Sequence, residues 1–227
     1  MNKFFNLDNP VMVFMSKIAD LIILNILAIV FSIPIITIGA SWTAIYYVTV
    51  KMVKNEESYI FKDFFNSFKN NFKQATLIWL LIMAIVGIFV GDFMIYRAMP
   101  DAIPKILLYI VMVIAIIVLC TILYVFPVLS HFENTLKNTI KNAFLISIIN
   151  VPYTIIFLIL FLVPIFFSSY ALRLLPLIFM LGFSGPAYLA SFCWKKIFKK
   201  LELNDEKPQG ENTDSEFIEN SKQDENV

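Results

Sequence analysis

Apolar and polar positions divide most of the chain into long greasy runs and short polar interruptions. Runs of about 18 or more apolar residues are read as membrane-spanning helices. On that basis the segments near 18–37, 40–53, 76–96, 105–128, 143–167 and 171–194 are predicted to enter the membrane. Ser32-Ile33-Pro34 through Ile38-Gly39 interrupts the first stretch, because Pro ends one helix and Gly permits the turn. The second segment is short for a span of about 20 residues. It is either re-entrant or extended past Lys51, whose stem can snorkel. Polar turns close the other two hairpins, one with Arg97, Pro100, Pro104 and Lys105, the other with Ser168, Ser169 and Arg173. Asp8-Asn9-Pro10 has the form of a helix start, a polar cap followed by Pro at the first helical position.

Between the hairpins the pattern turns amphipathic. Over residues 58–74, Phe61, Phe64, Phe65, Phe68 and Phe72 recur at helical spacing, opposite Lys62, Asn66, Lys69, Asn70 and Lys73. A helix of this kind lies in the membrane interface. Residues 65–78 return 68 positions later as 133–146, with seven of fourteen positions identical, among them Asn66/Asn134, Asn70/Asn138 and Lys73/Lys141. The copy puts Leu129, Phe132, Leu136 and Ile140 on its apolar face. A weaker echo relates Gly39-Ala40-Ser41-Trp42-Thr43-Ala44-Ile45-Tyr46 to Gly185-Pro186-Ala187-Tyr188-Leu189-Ala190-Ser191-Phe192.

The expected fold is all-α. It is a polytopic integral membrane helical bundle with about six membrane segments, arranged as three hairpins linked by two amphipathic cytoplasmic-surface helices. Residues 1–200 form the membrane domain, with an internal repeat over 58–128 and 129–194, and 201–227 form an acidic disordered tail.

Composition agrees with this. The chain is 59% hydrophobic, against roughly 45–50% apolar in soluble domains. The net charge of +1 hides a split: 201–227 carry nine acids and two lysines, −7, so 1–200 carry 16 basic and 8 acidic residues, +8. Basic residues in short loops mark the cytoplasmic side. Eleven lysines fall on one set of loops, and only Arg97, Lys105 and Arg173 on the other. This orients the amphipathic helices and the tail toward the cytoplasm of a bacterial membrane. The N-terminus joins them if 18–53 is a hairpin, and lies outside if it is one span. The first twenty residues lack the order of a cleavable secretory leader, so the first segment is expected to be retained. Cys120 and Cys193 lie in apolar runs without metal-ligand spacing, and are read as small buried hydrophobes.

Candidate sites are few. Asp92 lies near the outer end of its segment, and charges at membrane depth tend to be functional; Arg173 is its candidate partner. Asn25 and Asn150 sit inside apolar segments, where they either line a polar path or bridge helices. Gly87 and Gly91 form a GxxxG, a face for a homo-oligomer or for close packing within the chain. Lys69, Lys73, Lys137 and Lys141 are candidates for contact with anionic lipid or a partner. His131 is the single histidine, and no phosphate-binding loop, dinucleotide fingerprint or nucleophile elbow occurs. No enzymatic activity, cofactor, metal or nucleic-acid ligand is expected.

Asn9-Pro10, the Pro34-to-Gly39 break, the run Gly39 to Tyr47, and Asp63-Phe64-Phe65 through Phe68-Lys69-Asn70-Asn71-Phe72-Lys73-Gln74-Ala75 resemble the YesL family, a bacterial membrane domain of unknown function. The likeness extends over about residues 1–200 and excludes the tail. It implies a small polytopic protein associated with sugar ABC transport and glycan degradation, and supplies no catalytic residues. Two functions follow as expectations. One is a non-catalytic membrane protein accessory to a carbohydrate uptake or sensing complex. The other is a small transporter or channel with a polar path between the hairpins.

Overall fold

A computed structural model describes residues 10–57, 59–99, 104–170 and 181–205. Those residues fold as helices: α1 Pro10–Phe31, α2 Ile38–Lys54, α3 Ile60–Ala98, α4 Lys105–His131, α5 Leu136–Ile149, α6 Val151–Tyr170 and α7 Ser184–Asp205. α1 begins at Pro10, the expected first helical position, while Asp8 and Asn9 lie outside the described residues. Three helices, Val11–Phe31, Ile60–Ala98 and Ile106–His131, are long and apolar enough to cross a membrane. The bent pair Leu136–Ile149 and Val151–Leu162 raises the number to four if it is one span.

The break between α1 and α2 falls where Pro34 was expected to put it. A 3-10 turn, Ile35–Thr37, carries the chain round. The Pro34 carbonyl accepts the Thr37 N–H at 2.9 Å, and the Thr37 hydroxyl lies within hydrogen-bonding reach of that carbonyl and of the Phe31 carbonyl, one of those left without a partner at the end of α1. α2 ends on Asn55, whose φ of 56° is the left-handed conformation common at helix C-termini and tolerated by Asn.

α2 is the core of the molecule rather than the second arm of a hairpin set beside others. Twelve of its 17 residues are buried. It packs on α3, α7 and α4. Its Lys51 meets Asp63 near one end, while Gly39 meets Ala75 and Trp79 near the other. α2 therefore runs antiparallel to α3, with its length beside residues 63–79. A Cβ at Gly39 would stand 2.6 Å from the Ala75 carbonyl oxygen and 2.8 Å from Trp79 Cβ, so only Gly permits this approach. α7 lies along another side of α2. Ser191 Oγ donates to Thr49 Oγ1 at 2.8 Å, and Lys195 Nζ to the Val53 carbonyl at 3.3 Å. These contacts advance together along both helices, so α2 and α7 run parallel. The echo between Gly39–Tyr46 and Gly185–Phe192 thus marks two helices packed on each other. The small residues Ala40, Ala44, Ala187 and Ala190 are all buried, as close helix approach requires.

The repeat takes two shapes. In the first copy the expected interfacial helix and the following span are a single helix, the 39-residue α3. At 1.5 Å per residue it is about 58 Å long, nearly twice a hydrocarbon core of about 30 Å. Residues 60–74 are therefore not a separate helix laid across the start of the span. Their aromatic face is divided: Phe64 and Phe68 pack against Phe31 of α1, Phe65 meets that ring edge-on while staying half exposed, and Phe61 and Phe72 are exposed. In the second copy α5 and α6 meet at 101° across Asn150. Pro152 stands where the first copy has Ala84. It lacks the N–H that would bond back to Ile148, and its ring clashes with that carbonyl in a continuous helix. One pattern therefore gives a straight rod with Ala and a sharp bend with Pro.

Two expected boundaries move. Ser168 and Ser169 lie within α6, not in a turn, and 201–205 continue α7 instead of opening the tail. The first of these follows from the weak breaking power of Ser in an apolar helix compared with Pro or Gly. Residues 206–227 lie outside the described set.

Candidate functional site

Asn25 is buried at the contact between α1 and the start of α7. Its Oδ1 accepts hydrogen bonds from the backbone N–H of Phe183 at 3.0 Å and of Ser184 at 3.1 Å. Ser184 Oγ returns a bond to the Leu21 carbonyl at 2.8 Å. The first N–H groups of a helix have no intrahelical acceptor, and α1 supplies one from 158 residues away. Of the two roles open to Asn25, the geometry shows the bridging one.

Asn150 sits at the bend. Its Nδ2 donates to the Ile146 carbonyl at 3.0 Å, and its own carbonyl accepts from Tyr124 Oη at 3.3 Å. Tyr124 Oη also lies 2.8 Å from Thr154 Oγ1, and Thr154 bonds to the Ser147 carbonyl at 3.1 Å. The Ile146 and Asn150 carbonyls also accept backbone N–H bonds, so the carbonyl that the break releases and a side chain takes up is that of Ser147.

Asp92 lies on the exposed far half of α3. It borders a groove of about 450 Å³ between α3 and α4, walled mainly by apolar side chains such as Phe89, Phe93, Leu108 and Met112. The groove touches neither Asn25 nor Asn150. Arg173, its expected partner, lies outside the described residues, and Asp92 makes no ion pair among those described. On the same half of α3, a Cβ built on Gly87 or Gly91 meets nothing within 4 Å. The GxxxG does not serve packing among the described residues.

Lys69, Lys73, Lys137 and Lys141 are all exposed, the first pair on α3 and the second on α5. The apolar face behind the second pair is spent internally: Leu129 is buried, and Phe132, Leu136 and Ile140 pack against the core. Lys51 is held differently, 3.0 Å from Asp63 Oδ2. That hydrogen bond raises the Lys51 pKa above 10.5.

Between the two copies of the repeat lies a polar cleft of about 590 Å³ that the sequence reading did not single out. One wall carries Asn66, Asn70, Asn71 and Gln74 of α3; the other carries Glu133, Asn134 and Thr135 from the turn before α5. Gln74 Nε2 ties the walls together, donating to the Asn134 carbonyl at 2.9 Å and Thr139 Oγ1 at 3.0 Å. Tyr47 of α2 and His131 of α4 close one end. His131 is stacked flat on Phe198 at 4.1 Å, and its Nε2 is 2.9 Å from Glu202 Oε1. The duplicated Asn66 and Asn134 were the available signal, since both copies of that position face the cleft.

A family model described as a protein of unknown function, DUF624, matches residues 21–93. The matched stretch holds α2, the second half of α1 and most of α3, including Asn25, Gly39 and the α3 wall of the cleft. No curated protein and no solved structure matches the chain.

Proposed function

We propose that this chain is a non-catalytic integral membrane protein of the bacterial cytoplasmic membrane. In this reading it is an accessory or partner of a carbohydrate uptake or sensing complex, with its tail on the cytoplasmic side. The observation that carries the partner role is the near half of α3. Phe61, Phe65 and Phe72 are exposed there beside Lys69 and Lys73, on a helix far longer than a bilayer core requires. Exposed aromatic and basic side chains on one rigid element form a surface suited to a partner or to anionic lipid. The carbohydrate part comes from the likeness to the YesL family alone; the family that matches residues 21–93 is of unknown function. Mild-detergent capture of the full chain from native membranes tests the reading. Co-purification of a transport or sensor subunit, lost when Phe65 and Lys69 are both replaced by Ser, is the expected result. Recovery of the chain alone overturns it.

A further inference from the structure

We infer that the cleft between the two repeat copies is a binding site for an uncharged, polyhydroxylated molecule of mono- or disaccharide size. The inference rests on the cleft's lining and stands apart from the partner reading. Its volume of about 590 Å³ lies within the roughly 300–1,000 Å³ of small-molecule sites.

The lining selects the ligand class. Asn66, Asn70, Asn71 and Gln74 present amides, and each amide offers both donors and acceptors. A hydroxyl group likewise donates and accepts, so a row of amides suits a row of hydroxyls. Much of that capacity is unspent. The bonds of Asn71 and Gln74 within the chain use their Nδ2 and Nε2 groups and not their side-chain oxygens. Tyr47 and Phe132 add aromatic surface on which the C–H face of a sugar ring can lie.

A charged ligand finds less here. Lys69 and Lys73 are not among the lining residues, and His131 is already engaged by Glu202. Lys51 and Lys54 border only a smaller adjoining recess of about 160 Å³, and Lys51 is paired with Asp63. An anion entering the main cleft would meet Glu133 and give up its hydration without a counter-charge, which is costly.

The test uses the purified full chain in nanodiscs with glucose, maltose, cellobiose and glucose 6-phosphate as probes, read by saturation-transfer NMR and calorimetry. At least one uncharged sugar is expected to bind saturably, and more tightly than the phosphorylated probe. Asn66→Leu and Asn70→Leu should each weaken it by about tenfold, a loss of about 1.4 kcal/mol. Both side chains are exposed, so the variants should keep the wild-type thermal transition. Saturable binding that survives both substitutions, tighter binding of the phosphorylated probe, or no binding of any neutral sugar overturns the inference. None of these outcomes bears on whether a protein partner co-purifies.

Discussion

Replacing Asn25 by Leu should unlatch the start of α7 from α1. The two side chains are of similar size, so the change removes an acceptor without opening a large cavity. Two N–H groups then lose their partner, and their surroundings differ. Ser184 is fully buried, while Phe183 is 43% exposed. The Ser184 donor is left without a replacement, at a cost of about 1–3 kcal/mol for an orphaned buried group. The Phe183 donor can find other partners, and its loss falls nearer the average of about 0.6 kcal/mol for interhelical bonds in membranes. Together the expected destabilisation is about 2–3 kcal/mol. Unfolding in mixed micelles, followed by tryptophan fluorescence, measures it. Trp42 lies 5.9 Å from the Phe183 ring and reports on the junction. Hydrogen exchange at the amides of residues 183 and 184 should accelerate in step. Ser184→Ala removes only the return bond to Leu21 and should cost about 1 kcal/mol. The double variant should cost less than the sum, as expected of groups in one network. A variant within about 0.5 kcal/mol of wild type, with exchange at 183 and 184 unchanged, would refute the latch.

Gly39→Ala forces a Cβ into the Ala75 backbone and should cost about 1–3 kcal/mol in the same assay. Gly87→Ala meets open space and should be neutral or stabilising by up to about 1 kcal/mol; a loss of cross-linked dimer in that variant would instead place an interface at Gly87. Pro152→Ala makes the second copy resemble the first and should widen the turn between α5 and α6. Spin labels on the exposed Leu145 and Ile155 should then move apart, and unchanged distances would show that the Tyr124, Asn150 and Thr154 bonds hold the bend alone. The Lys51–Asp63 bond raises the Lys51 pKa above 10.5. Its stabilisation is therefore fully present below pH 10.5 and is lost as pH rises through the elevated value. Wild type and Lys51→Met should converge in stability as pH rises through that alkaline window, and a difference that persists there would count against the pair.

Much of the helical layout was legible because its signals are local. Pro10 opened α1, Pro34 broke the first stretch, and the apolar runs placed α3 and α4. The fourteen-residue match between 65–78 and 133–146 was plain in the sequence, but the different shapes its two copies take were not. Residues 60–74 read as a surface helix because their aromatic face resembled a membrane-facing one. Whether Phe64 touches lipid or Phe31 depends on a helix 33 positions earlier, which periodicity within 58–74 does not encode. The straight and bent outcomes hinged on Ala84 against Pro152, a difference outside the fourteen-residue match. The cleft escaped notice because its walls come from α3 and the turn before α5, and Gln74 joins them over 60 residues. Asn25 was legible as a residue of interest; the positions of its donors, the N–H groups of residues 183 and 184, were not.

The family match ends at residue 93, and that boundary does not coincide with a folding unit. α2 has Val48 and Thr49 fully buried, and its cover comes from both sides of the boundary. Residues 21–31 of α1 and 60–93 of α3 lie within the match. Phe126 of α4 stands against Gly39, and Ser191 of α7 bonds to Thr49, and both lie beyond it. A chain ending at Met99 would therefore expose one flank of α2, including a Thr49 hydroxyl that loses the Ser191 bond and keeps only its bonds within α2. It should be degraded when expressed alone. The cut itself falls between α3 and α4, away from the core, so co-expression of 1–99 with 100–227 should restore a complex that co-purifies through a tag on either half. Separate expression of 1–99 with the protease resistance of the full chain would show that α4 and α7 are dispensable to α2, and the account of the core given by Gly39 and Ser191 would fall with that result.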